Sequence, residues 1–279
     1  PQSISSNTIW ATYQDKSGTI WVATTNGLDK LIRNDDTSKT STNRTSSKDS
    51  VIFIHYQHDP TDPSSLSKNL VSTILEDRFG KLWVGSFGGG LNILDRETEQ
   101  FVHFKYDSKD PHSLSSNVVK SIFEDSDDQL WIATFGGGLN RYDCQNELFI
   151  RYQHEPSNPN SLSSNQVNFI SEDQSGRLWI ATAGGGVNLF DKQQEDFISY
   201  RHDPLDKNTI GSDRIMTMWM DKSGILWVAP NLRGIDKLLI GKTKFQHYHH
   251  QPLKTNSLSD NHVTSLYSDR EGSLWIGTT

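Results

Sequence analysis

Residues Ser67–Asp95 read SKNLVSTILEDRFGKLWVGSFGGGLNILD, and the fold is decided inside them. Val71 to Asp77 starts β-branched and carries no helical stripe, which predicts a strand. Asp77-Arg78-Phe79-Gly80 is a tight turn, because Asp suits its first position and Gly supplies positive φ before the chain returns. Leu82 to Gly85 is a second strand, Phe87 to Gly90 a second turn, Leu91 to Asp95 a third strand and Phe101 to Tyr106 a fourth. Side chains alternate along a strand, so Leu82 and Val84 face one way and Trp83 and Gly85 the other. Both faces are apolar or small, so both should be buried. A small residue beside each Trp lets a neighbouring sheet approach closely.

The stretch recurs. Tryptophans preceded by Leu or Ile fall at Trp21, Trp83, Trp131, Trp179, Trp227 and Trp275, spaced 62 and then four times 48. An Asp lies six places before each, at Asp15, Asp77, Asp125, Asp173, Asp221 and Asp269. A polar residue lies eight before that, at Asn7, Asn69, Asn117, Asn165, Asp213 and Asn261. The longer first interval contains the polar run 34–50, which has no apolar side chain to offset its ordering entropy and is expected to be a mobile loop. Four short strands per 48 residues, with both faces buried between copies, describe an all-β protein, a β-propeller with four-stranded blades. A parallel β-helix uses shorter coils, and helical solenoids need a 3.6-residue period that is absent. Blades are expected at about 6–58, 69–106, 117–154, 165–202 and 213–250, with a half-blade at 261–279, all in a single propeller over 1–279.

Composition agrees. The 279 residues carry a net charge of −7 and only 33% apolar residues. The acidic balance argues against a domain that grips nucleic-acid phosphates. No apolar run is long enough to span a membrane. The single cysteine, Cys144, excludes an internal disulfide and a cysteine-cluster zinc site. The low apolar share fits a core built as thin slices between blades, each anchored by one of the six register tryptophans. Trp10 and Trp219 lie outside that register.

The motif S-N-x-V-x-x-I-x-E-D-x-x-G-x-L-W-I-G-T-x-G-G-G-L-N resembles the two-component regulator propeller repeat. Further copies are SSNVVKSIFEDSDDQLWIATFGGGLNRYD at Ser115–Asp143 and SSNQVNFISEDQSGRLWIATAGGGVNLFD at Ser163–Asp191. The resemblance covers nearly the whole chain. It implies the extracytoplasmic, periplasmic sensor region of a bacterial membrane receptor, with a histidine kinase, often a hybrid, or a diguanylate cyclase as output. Several such proteins sense carbohydrate-derived signals. Family propellers usually carry seven blades, about 336 residues at this period. The resemblance therefore implies five blades and half of a sixth from a seven-bladed or double propeller, with C-terminal receptor domains as partners. An unpaired edge in the half-blade is expected to pair with another chain, a second copy included, or to be disordered. Two copies depart from the motif: Thr24–Lys30 (TTNGLDK) is one residue short, and Pro230–Asp236 (PNLRGID) loses two of three glycines.

Strand alternation puts the glycine loops and the inter-blade connections on one face, around the mouth of a central channel lined by the starts of the first strands. Two residues after the Asn register the chain is always β-branched: Ile9, Val71, Val119, Val167, Ile215 and Val263. One and three residues after it the chain varies freely. A repeated scaffold with unrepeated residues at its mouth suits a binding surface. The candidate ligand-binding residues are Trp10, Lys120, Asn168, Arg214 and His262, with the loop tips Phe87, Phe135 and Arg233. Aromatic rings with cations and amides could stack on and hydrogen-bond an oligosaccharide, an anionic glycan or another small extracellular signal.

Other features point away from chemistry. His58, His154, His202 and His250 share a register, but they recur once per blade near the outermost strand, too far apart to share one ion. Packing on the prolines two residues later is the expected role. The pairs Glu76-Asp77, Glu124-Asp125 and Glu172-Asp173 point to opposite faces and do not converge for acid–base work. The triple glycines precede no helix, as a phosphate cradle would need. The reading is a binding module with no catalytic residue, metal or cofactor, and no membrane contact of its own. Two alternatives stand beside it. One is a propeller enzyme like the streptogramin lyases, which use His and Glu with magnesium; here His262 is the only histidine near the mouth. The other is a protein–protein interaction scaffold using the same face.

Overall fold

The computed structural model describes residues 3–33, 51–239, 244–269 and 271–279, so the loop predicted over 34–50 lies outside it. Among the described residues there are strands and turns but no helix. They form two compact units, Pro1–Ile122 and Phe123–Thr279. The first unit holds two antiparallel four-stranded sheets in sequence order. One is β1 (Ile9–Gln14), β2 (Ile20–Thr24), β3 (Gly27–Arg33) and β4 (Val51–Tyr56). The other is β5 (Val71–Glu76), β6 (Leu82–Ser86), β7 (Gly90–Leu94) and β8 (Phe101–Phe104). β9 (Val119–Glu124) runs across the division.

The second unit continues with β10 (Leu130–Thr134), β11 (Gly138–Asp143) and β12 (Leu148–Tyr152), antiparallel in order. A four-stranded sheet follows, β13 (Val167–Glu172), β14 (Leu178–Thr182), β15 (Val187–Asp191) and β16 (Asp196–Tyr200). The next is β17 (Ile215–Met220), β18 (Ile225–Pro230), β19 (Ile235–Leu239) and β20 (Phe245–Tyr248). β21 (Val263–Ser268) and β22 (Leu274–Thr278) pair as a hairpin. The sheets are β-propeller blades. The expected fourth strand, Phe101 to Tyr106, stops two residues early because the Tyr106 N–H turns away to Asn117 Oδ1, 2.8 Å.

The Asp–Trp spacing has a direct cause. Each register Asp accepts the indole N–H six residues on at 2.8–3.0 Å, in all six copies. The other carboxylate oxygen closes the turn: Asp77 Oδ1 accepts the Phe79 and Lys81 backbone N–H groups, both at 2.9 Å. Turn capping, the role read from sequence, is therefore half of what this residue does. An indole N–H can only donate, and buried without a partner it would cost about 1–3 kcal/mol. At Asp15 burial pushes the carboxyl pKa up, but hydrogen bonds from Ser17, Trp21 and Thr19 and the Arg96 charge hold it below the ordinary value.

The ring body faces the following blade. Trp21 packs with Val71, Ile74, Leu82 and Val84, and Trp179 with Ile215, Met218, Leu226 and Val228. Trp83 and Gly85 take the opposite face from Leu82 and Val84. A Cβ on Gly85 would lie 2.6 Å from both Val119 Cγ1 and Thr73 Cγ2, so no side chain fits there. One expectation is corrected. Trp21, Trp83, Trp131 and Trp179 are fully buried, but Trp227 is half-buried and Trp275 is 64% exposed. Among the described residues four register tryptophans are core, and the other two are partly covered or exposed.

A second clasp uses Glu76 and Glu172, the residues before Asp77 and Asp173. Glu76 Oε2 accepts the Lys16 N–H from the preceding blade at 2.6 Å, and Arg96 bridges Glu76 and Asp15 at 3.0 and 3.1 Å. Two blades on, Glu172 accepts the Ser126 N–H at 2.8 Å, and Lys192 bridges Glu172 and Asp125 at 3.1 and 2.7 Å. Burial works against the Lys192 charge, yet three carboxylates raise its pKa well above the ordinary lysine value. Within these pairs the carboxylates part: Glu76 and Glu172 meet the preceding blade, while Asp77 and Asp173 bond the turn and tryptophan of their own.

Two outcomes follow. Trp179→Ala lowers unfolding stability by about 3–5 kcal/mol, whereas Trp275→Ala costs under about 1 kcal/mol, read by urea denaturation. The depressed Asp15 pKa stabilises the fold above the unfolded value and is lost as pH falls through the folded one. Asp15→Asn should therefore flatten the fall in thermal midpoint between about pH 5 and pH 2; an unchanged acid limb would contradict this role.

Candidate functional site

The Asn register builds the loop face. Asn117 Oδ1 accepts the Tyr106 N–H, and its backbone carbonyl accepts the Gly88 and Gly90 N–H groups of the preceding loop at 2.8 and 3.0 Å. Asn165 and Asp213 repeat this with Gly136 and Gly138, and with Gly184 and Gly186. Gly90 has φ +80°, and a Cβ there would collide with the Phe104 carbonyl, so the turn requires glycine. The Phe87 N–H is bonded to Leu70 O at 2.9 Å, and Phe87 bridges to Val118 of the next blade. Each loop tip is thus fixed beside the start of the following first strand.

In the first unit this geometry gathers three of the eight candidates. Trp10 on β1 and Phe87 at the loop tip have ring centroids 5.5 Å apart, tilted by 44°. Lys120 on β9 places Nζ 4.9 Å from the Phe87 ring centre and 5.6 Å from that of Trp10. Trp10 is 48% exposed and Phe87 half-buried, so the aromatic pair has an open side. Among the described residues no carboxylate pairs with Lys120, and burial lowers its pKa below the ordinary lysine value. A partly dehydrated ammonium held by aromatic faces retains unused donor capacity.

The other five lie in the second unit. The Asn168 side chain donates to Ile215 O at 2.7 Å, a strut between blades. Ser72 makes the same bond to Val119 O from the equivalent position of the second blade, at 2.7 Å. Arg214 bridges through its backbone to the loop tip at Ala183 and leaves its side chain exposed. Phe135 bridges in the same way to Gln166 and is 42% exposed. His262 Nδ1 lies 3.1 Å from Thr279 Oγ1. Arg233 lines a cavity of about 410 Å³. Asn168, Arg214, His262 and Arg233 share no hydrogen bond with one another.

Two features escaped the sequence reading. The register histidines hydrogen-bond through Nδ1 to the carbonyl eight residues on, at Leu66, Leu162, Ile210 and Leu258, 2.6–2.8 Å away. They tie down the inter-blade connection by a polar bond as well as any packing. The first and fifth blades, whose glycine loops depart from the motif, carry buried Asp29 and Asp236 where the others have Asn92, Asn140 and Asn188. Each meets a histidine across the strand pair: His55 at 2.6 Å and His247 at 2.5 Å. Setting the copies side by side would have flagged this exchange of Asn for Asp.

Blades repeated in this way, with unrepeated side chains at their loop tips, define a β-propeller built to present a variable face. Residues 3–26, 65–88, 113–136, 161–184 and 257–279 match the family model described as two component regulator propeller, so the chain carries five copies of that family's repeat. The matched segments leave out the fifth copy. No curated protein matches the chain. The chain is similar to the extracellular domain of what is described as a one component system, BT4673, of B. thetaiotaomicron, at 23% identity and a TM-score of 0.72. The likeness covers 99% of this chain and 34% of that one. The extracellular domain of a system described as hybrid two component, BT3049 of the same organism, gives 22% identity and a TM-score of 0.63 over 99% and 39% of the two chains. Virginiamycin B lyase from Staphylococcus aureus shares the fold at 12% identity and a TM-score of 0.65, over 96% and 77%. The chain thus spans little more than a third of the length of the two extracellular domains. Among the described residues, no group of three or more His, Cys, Asp or Glu is placed to hold a metal ion, and no helix is long and apolar enough to cross a membrane.

The Lys120 environment is directly measurable. With reductively methylated lysines, the Lys120 resonance should titrate below the ordinary lysine range. Trp10→Ala rehydrates the ammonium and should move its pKa up toward that range. An unshifted Lys120 in the wild type would contradict the packing described here.

Proposed function

We propose that the chain is the ligand-sensing propeller of an extracytoplasmic, periplasmic receptor region, and that Trp10, Phe87 and Lys120 form its carbohydrate platform. The observation that carries this reading is a lysine held by two aromatic rings with no carboxylate partner among the described residues. Rings stack on the apolar face of a sugar, and the ammonium donates to hydroxyl, carboxylate or sulfate oxygens. The likeness to extracellular domains of regulatory systems supports the sensor role. Signal output belongs to the receptor domains that such systems carry, with the propeller as input. The reading assigns the site no reaction, because two rings and an ammonium contain no acid–base pair. Similarity to the lyase extends to the fold alone and does not favour an enzyme.

The test is calorimetry of the chain against oligogalacturonides, chondroitin sulfate oligosaccharides and neutral galacto-oligosaccharides. At least one class should bind, and Trp10→Ala and Phe87→Ala should each weaken it about tenfold or more, near 1.4 kcal/mol. If no member of the panel gives heat, or if Trp10→Ala binds as well as the wild type, the proposal fails.

A further inference from the structure

The fifth blade differs from its siblings at positions that touch one another. Two residues before the Asn register the other copies have Ser5, Ser67, Ser115, Ser163 and Ser259; the fifth has Gly211. The middle residue of the full glycine loop is Gly89, Gly137 or Gly185; the fifth has Arg233. These two positions are in contact. A Cβ on Gly89 would collide with Ser67 Oγ, and one on Gly185 with Ser163 Oγ. In the fifth blade the serine side chain is gone and the loop residue has gained one. A Cβ on Gly211 would lie 3.6 Å from that of Arg233, so the exchange is complementary. Leu232, in the place of the first loop glycine, sits at φ +57°, a conformation that disfavours side chains.

The exchange continues beneath the loop. Asp236 replaces the repeat asparagine, and its Oδ2 accepts the Gly211 N–H at 2.7 Å. Its Oδ1 lies 2.5 Å from His247 Nδ1, while His247 Nε2 lies 3.0 Å from the Lys207 carbonyl. The two ring nitrogens thus face a carboxyl oxygen and a carbonyl, and burial raises the Asp236 pKa as well, so one proton is held between Asp236 and His247. Burial opposes a charge on His247, and the Asp236 carboxylate more than restores it, raising the histidine pKa. The result is a cavity of about 410 Å³ lined by Gly211, Leu232, Arg233, His247, His249 and Asn261. A neighbouring hollow of about 360 Å³ shares His247 and His249 and adds Lys254. No carboxylate lines either hollow, and the Arg233 guanidinium has no acceptor among the described residues.

We propose that this pocket is a second binding site, taking the oxyanion group of a small ligand (a carboxylate, sulfate or phosphate) on the Arg233 guanidinium. The planar fork of arginine matches two oxygens at once. Asp236 neutralises His247 from behind and hydrogen-bonds the Gly211 backbone, so the floor of the pocket is rigid. A solvated surface arginine would need neither the loss of the serine side chain nor a left-handed leucine beside it. The site lies in the other unit from Trp10, Phe87 and Lys120, and it stands or falls without them.

The test is titration of the chain with sodium sulfate, sodium phosphate and sodium galacturonate, each against sodium chloride at equal ionic strength, read by the backbone N–H shifts of Leu232 and Asn261, which line the cavity. Saturable binding of at least one oxyanion is expected, weakened at least tenfold by Arg233→Gln and partly restored by Arg233→Lys. Gly211→Ser, which returns the repeat's side chain beside Arg233, should weaken it too. Binding of the two inorganic anions alone assigns the site to a tetrahedral group, and binding of galacturonate alone to a uronate; either supports it. Trp10→Ala should leave the titration of the Leu232 and Asn261 N–H shifts unchanged, and because these report the cavity alone, failure here is separated from failure of the carbohydrate platform. Absence of saturable binding by all three probes, or equal binding by Arg233→Gln with an unchanged thermal midpoint, overturns the proposal.

Discussion

A buried carboxylate accepting an indole N–H six residues later is the interaction on which the molecule depends. It spans the first turn of every blade, so it fixes the hairpin and satisfies a donor that burial would otherwise strand. With the N–H satisfied, the ring is free to act as a hydrophobic slab against the next blade. The small residue two places on, Gly85 or an alanine such as Ala181, follows from the same demand, because the neighbouring sheet must come close to the slab. The low apolar content is then no liability. Each slice of core is thin, and one large ring fills much of it.

The repeated polar residues bond blades to one another. Asn117 takes two N–H groups from the preceding glycine loop and one from its own approach segment. Glu76 and Glu172 reach back to the preceding blade, each with a cation beside it. These bonds hold loop tips at set places whatever side chains stand there. Side chains are then free to vary at those tips without disturbing the scaffold. The first unit uses this freedom to set Lys120 against two rings, and the fifth blade uses it to open a pocket under Arg233.

Much of this was legible in the sequence. The period, the strand order, the turn at Asp77–Gly80 and the two-faced burial of β6 need only alternation and turn chemistry. The three residues that the first unit brings together, Trp10, Lys120 and Phe87, were each singled out by variation between otherwise identical copies, though their meeting was not. The same test also selected Asn168, which proves to be a strut, because variation alone does not separate a side chain that braces a carbonyl from one that faces solvent. Ser72 makes the same bond with a hydroxyl, so chemically different residues fill one structural role. The exchange at Gly211 and Arg233 could not be read as one event without knowing that the two positions touch.

Trp21, Trp83, Trp131 and Trp179 are scaffold, Trp10 is the proposed ligand contact, and the indole N–H resonances test that separation most directly. In ¹⁵N-labelled protein, the indoles bonded to buried aspartates should exchange slowly with solvent and stay still on titration with oligogalacturonides and chondroitin sulfate oligosaccharides. The Trp10 indole should exchange fast and shift as one of these ligands binds. A ligand that saturates while moving the buried indoles and leaving Trp10 unmoved would contradict the account.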